Sequence, residues 1–153
     1  MMEYLNSRIA SANEAQLVAI MYEGLIKNFK DSITNIENKD DKLLNESINK
    51  SRNIIAEFIA TLNGDSEIAM NYKGIYMYLN KLITTANISK DIKTLEEAIE
   101  IVTPLHEGWT ELGEKMFIES IEKGNASKVV AGMTYGKGYV NDNSSSGGST
   151  FEA

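Results

Sequence analysis

The chain has 153 residues, 42% of them apolar, enough for one globular domain and at most a tail. A formal net charge of −7 speaks against partners rich in phosphate, whether nucleic acid or an anionic membrane surface. Cysteine is absent, which excludes disulfide and thiolate chemistry, and the sequence reads as having neither a secretory leader nor a membrane span, so the expected location is the cytoplasm.

Residues 1–12 show no clear period. Asn13 then has the side chain of an N-cap, and Gln16 three residues on completes a capping box. Leu17, Met21, Leu25, Phe29, Ile33 and Ile36 follow at helical spacing, widened by Val18, Tyr22 and Ile26, up to a charged turn at Asn38–Asp41. The second predicted helix carries Leu44, Ile48, Ser51, Ile55, Phe58 and Leu62, broadened by Ile54 and Ile59. It stops at Asn63-Gly64-Asp65, residues that tolerate left-handed backbone. Asp65 or Ser66 caps the third, with a stripe of Ile68, Tyr72, Ile75, Leu79, Leu82 and Ala86 flanked by Tyr76 and Ile83. A break is expected at Asn87–Ser89, with Ser89 capping a fourth helix through Ile92, Leu95, Ile99, Val102, His106, Trp109 and Met116. Pro104 predicts a kink or restart near Thr103.

Short connections between long helices predict an all-α fold, an up-down-up-down antiparallel four-helix bundle over residues 13–123, with room for a short extra C-terminal helix. From residue 124 to 153 glycine and serine accumulate, which predicts a flexible tail.

Reactive constellations are missing from the pattern. A di-iron bundle needs Glu-x-x-His on two helices, whereas the single histidine, His106, follows Thr103 by three; it reads as a half-buried, hydrogen-bonded side chain. Gly136-Lys137-Gly138 resembles a phosphate loop only superficially, lacking its spacing and its preceding strand. Asp40-Asp41 and Glu96-Glu97 are explained by solvation in a turn and on a polar face. No catalytic residue, metal or cofactor is therefore expected, and the chain reads as a binding protein and not an enzyme. Tyr72, Tyr76 and Tyr78 lie within two helical turns and cannot all face one core. Either Tyr72 and Tyr76 pack inward with Tyr78 at the surface, or some of them build an apolar groove with a polar rim that suits a partner helix.

Several stretches are familiar in combination. Leu17 to Gly24 (LVAIMYEG), Asn53 to Leu62 (NIIAEFIATL), Asn71 through Tyr76 with Tyr78-Leu79, Ala86-Asn87-Ile88, Glu96-Glu97 and Trp109 stand in the order and spacing of the four helices of the FliS family of flagellar secretion chaperones. The chain resembles that family from about Asn13 to Gly113. Where the family usually opens its first helix with Ser-Pro, this chain has Asn13-Glu14, and the capping role survives. Tyr4 aligns with the second of the family's two N-terminal tyrosines, and Met1 falls where the first would be; beyond about Lys115 no counterpart is evident.

The resemblance implies an export chaperone that binds the disordered C-terminal segment of flagellin in hydrophobic grooves, prevents premature polymerisation and keeps the client competent for flagellar type III secretion. It implies that no nucleotide or metal is needed, while the acidic net charge speaks against a nucleic-acid or membrane partner; contact with the export apparatus and a homodimer are left open. The groove candidates, apolar residues in excess of what one core needs, are Tyr22, Ile26, Ile54, Phe58, Tyr76, Leu79 and Ile83. Tyr4, Leu5 and Ile9 are candidates for a cap that lies across the empty groove. The alternative is a helical adaptor or regulator that binds another amphipathic partner helix.

Overall fold

A computed structural model describes the backbone of residues 2–135 and the side chains of residues 2–124. Among these residues the chain forms five helices and no strand: α1 Met2–Ser11, α2 Glu14–Glu37, α3 Asp41–Thr61, α4 Glu67–Ser89 and α5 Ile92–Tyr135.

Capping chemistry sets most boundaries. Asn13 Oδ1 accepts from the Gln16 amide and Gln16 Oε1 accepts from the Asn13 amide, both at 2.9 Å, closing the capping box at the start of α2. Asp40 receives the Leu43 amide at the start of α3, and Ser66 receives that of Ala69 at the start of α4. The turn before α3 passes through Lys39 at φ 56°, and the one before α4 through Gly64 at φ 72°, a conformation glycine adopts without strain. The expected break at Asn87–Ser89 falls slightly later: α4 runs through Ser89 and ends at left-handed Lys90. Asp91, not Ser89, then accepts an amide in the first turn of α5, from Lys93. Pro104 lies inside α5, and the helix continues through it without the restart expected near Thr103.

The first dozen residues depart most from the sequence reading. They lack a helical period, yet Met2–Ser11 is helix. So short a helix is marginal alone. It buries none of its own residues and is tied to α2 by side-chain contacts described below.

The chain divides into two compact units, 1–110 and 111–153. The first holds a core shared by α2, α3, α4 and the first part of α5, in which Leu25, Phe29, Leu44, Ile48, Ile55, Leu79, Ile83, Leu95 and Val102 are fully buried. In α3 the buried face is the predicted one. In α2 it turns toward Ala15, Ala19, Tyr22, Leu25, Phe29 and Ser32, leaving Leu17 38% exposed. On that face Ser32 Oγ and Ser47 Oγ lie 2.7 Å apart, so two buried hydroxyls of α2 and α3 satisfy each other. In the second unit, the described part of α5 carries exposed Leu112, Phe117, Ile118 and Ile121. The residues read as tail from 124 begin within this helix, and those from 136 to 153 lie outside the described residues.

Candidate partner-binding groove

An open groove of about 720 Å³ runs along α2 beside its core face, and two of its lining residues, Ile26 and Ile99, also pack on the core. Ile20, Glu23, Gly24, Ile26, Lys27, Lys30 and Asp31 of α2 line one side, Ile99, Thr103 and His106 of α5 the other, and Leu5 of α1 its edge. Steps of three and four residues keep each set on one helix face. Gly24 lines the groove, and a Cβ there would meet Ile54 Cδ1 of α3 at 3.7 Å, an ordinary contact, so packing does not demand the glycine. A glycine inside a helix costs about 0.5–1 kcal/mol relative to alanine.

The lining mixes apolar Leu5, Ile20, Ile26 and Ile99 with charged Glu23, Lys27, Lys30 and Asp31. Arg8 of α1 reaches α2, with Nη1 and Nη2 each donating to a carboxylate oxygen of Glu23 at 2.9 Å. These bonds hold the Glu23 carboxyl below its ordinary pKa. The same guanidinium lies 5.7 Å from the Tyr4 ring centroid, a cation–π distance. Lys27 pairs with Asp31 at 2.7 Å one turn along α2.

The residues proposed from sequence divide between core and groove. Phe58 is stacked between Tyr22 and Tyr76, with centroids at 4.3 and 5.3 Å, and the two tyrosine hydroxyls are 2.6 Å apart. Tyr22, Phe58 and Tyr76 are at most 5% exposed, and Leu79 and Ile83 are fully buried, so these five are core side chains with almost no surface to offer. The reason is the breadth of the apolar faces: packed on more than one neighbour, a helix buries the flanks of its stripe as well as its centre. Burial, and for Tyr22 also the Tyr76 hydroxyl, pushes both phenols above their usual range. Ile26 does line the groove, and half-buried Ile54 lies behind Gly24. Of the three cap candidates Leu5 lines the groove, whereas Tyr4 and Ile9 are 67% and 43% exposed. Tyr78 is at the surface and donates to Glu97 of α5. Sequence reasoning passed over Ile20, Glu23, Gly24, Thr103 and the groove position of His106; the mid-helix glycine was the one available signal.

The groove brings together apolar side chains and paired charges, without a nucleophile–base pair. Among the described residues no cluster of three or more His, Asp or Glu side chains could hold a metal, and no helix is long and apolar enough to cross a membrane. The described residues thus define an all-helical bundle with an open groove, lined by apolar and charged side chains, beside a short helix. Comparison with known proteins places it more narrowly. The profile of the family described as "Flagellar protein FliS" matches residues 1–116, and the chain belongs to that family of flagellar secretion chaperones. It is 30% identical over 106 residues to the flagellar secretion chaperone FliS of Bacillus subtilis, an alignment covering 69% of this chain and 80% of the relative. Identity to the Escherichia coli protein of the same name is 23% over 110 residues, covering 70% of this chain and 81% of the relative. For the Salmonella typhimurium protein it is 25% over 114 residues, covering 72% and 84%.

Proposed function

We propose that this chain is a cytoplasmic, non-catalytic export chaperone for flagellin, with α2 to α5 as an up-down-up-down antiparallel bundle that receives the disordered C-terminal segment of flagellin as an amphipathic helix. Held there, the segment cannot polymerise, stays unfolded, and can be handed to the flagellar export apparatus. The observation that carries this reading is the open apolar groove over Ile20, Gly24, Ile26 and Ile99, with α1 at its edge contributing Leu5 and no buried residue of its own. A short helix held so lightly is a displaceable cap. Its tether supplies an effective concentration on the order of millimolar, so weak contacts suffice to occupy the groove until a client arrives. The client gives up chain entropy on ordering, and apolar burial must offset several kcal/mol of that cost.

Calorimetric titration with the flagellin C-terminal segment tests the reading. One client per chain is expected, with a negative heat-capacity change. Ile20→Asp, which puts a charge among the apolar lining residues at a position outside the core, should weaken binding at least tenfold while circular dichroism stays unchanged. No binding by the unaltered chain, or equal binding by Ile20→Asp, would contradict it.

A further inference from the structure

The contact between α1 and α2 shows what kind of helix the groove selects. α1 engages through two side chains three residues apart, Leu5 at the groove edge and Arg8 on Glu23. Residues three apart lie on one helix face, so the groove takes an apolar group and a guanidinium together. The pairing uses both Nη atoms, each at 2.9 Å, a fork-on-carboxylate geometry that a lysine ammonium cannot match. The other carboxylate of the lining, Asp31, is paired with Lys27 on its own helix, whereas the hydrogen bonds to the Glu23 carboxylate come from α1, with His106 of α5 acting on it as a second, weaker charge partner. When α1 leaves, Glu23 loses its two guanidinium hydrogen bonds and keeps only the weaker influence of His106.

We propose that Glu23 is a specificity-determining residue of this groove, and that the occupying client helix carries an apolar side chain followed three residues later by an arginine, the pattern that Leu5 and Arg8 display. The proposal rests on the reading that α1 and the client share the groove; it adds which helices are accepted and which atom of the chaperone chooses them. Glu23 and Arg8 are partly exposed, so the discrimination is a ratio between competing helices more than a source of affinity.

The test uses the full chain and a displayed library of amphipathic helical peptides, with the position three residues after a fixed leucine randomised among Arg, Lys, Gln and Glu. The unaltered chain should enrich Arg over Glu by roughly two- to fivefold, the worth of one exposed ion pair. Glu23→Arg should invert the preference. In the same chains, hydrogen exchange in α1 should speed up on Glu23→Arg and slow again when Arg8→Glu is added, a rescue that loss of structure would not give. Identical enrichment on both chains, enrichment of nothing, or absence of the rescue would overturn the proposal. Flagellin enters neither arm: an inverted preference in a chain that ignores the flagellin segment would keep the specificity residue and discard flagellin as the client.

Discussion

The Tyr22 hydroxyl lies 2.6 Å from the Tyr76 hydroxyl across the α2–α4 contact, and both rings are nearly sealed from water with Phe58 stacked between them. Two buried polar groups thus satisfy each other in an otherwise apolar core. Removing one partner strands the other, so Tyr22→Phe and Tyr76→Phe should each cost about 1–3 kcal/mol in chemical denaturation. The double variant should cost clearly less than the sum, because no unpaired hydroxyl is left. Strict additivity would show that the two groups do not depend on each other.

The same pair gives an alkaline limit. Both phenols have folded-state pKa values raised above the ordinary 10.0. A raised acid contributes stability that is complete below the unfolded value and is lost as pH rises toward the folded one. Unfolding free energy should therefore fall as pH climbs above about 10, and Tyr22→Phe/Tyr76→Phe should flatten that fall. An unchanged slope in the double variant would contradict the assignment.

Much of this core was legible in the sequence, for a physical reason. In α3 the apolar positions Leu44, Ile48, Ile55 and Phe58 sit on a single stripe that Ser47 and Ser51 complete, so period and burial coincide. Asn13, and the pair Asp65 and Ser66 of which Ser66 is the cap, also announced their helices, because a cap is a local hydrogen bond; Asp40, read only as part of a charged turn, proves to cap α3. The groove was harder to read. Burial depends on how many neighbours a face meets, which a one-dimensional pattern does not record, so Tyr22, Phe58, Tyr76, Leu79 and Ile83 looked like surplus when they are core. The helicity of α1 was hidden for a related reason: its contacts to α2, Arg8 with Glu23 above all, are tertiary and separated by 15 residues.

Exposure separates two isoleucines that both stood on predicted stripes. Ile48 is fully buried, and Ile48→Ala should lower stability by about 2–5 kcal/mol through lost transfer energy and a cavity. Ile68 is 68% exposed, and Ile68→Ala should change stability by no more than about 0.5 kcal/mol. Similar losses in thermal melts of the two variants would argue against this packing of α4.

Acid should release α1 before it unfolds the bundle. The Arg8 hydrogen bonds lower the Glu23 pKa from its usual 4.5. A lowered acid contributes stability that is fully present above the unfolded value and is lost as pH falls through the folded one. Amide exchange in Met2–Ser11, corrected for intrinsic rate, should therefore lose protection below about pH 4.5 while the core amides keep theirs. In Glu23→Gln this protection should already be low and should not vary with pH. Retained pH dependence in that variant would assign the effect to another group.

The central claim is that α1 and a flagellin helix compete for one groove on α2 and α5. Hydrogen exchange of the full chain, with and without the flagellin C-terminal segment, tests it most directly. The account predicts that amides of Met2–Ser11 lose protection as the segment binds, while those at 20–31 and 99–106 gain it. Binding that leaves α1 as protected as before, or that protects a different face of the bundle, would contradict it.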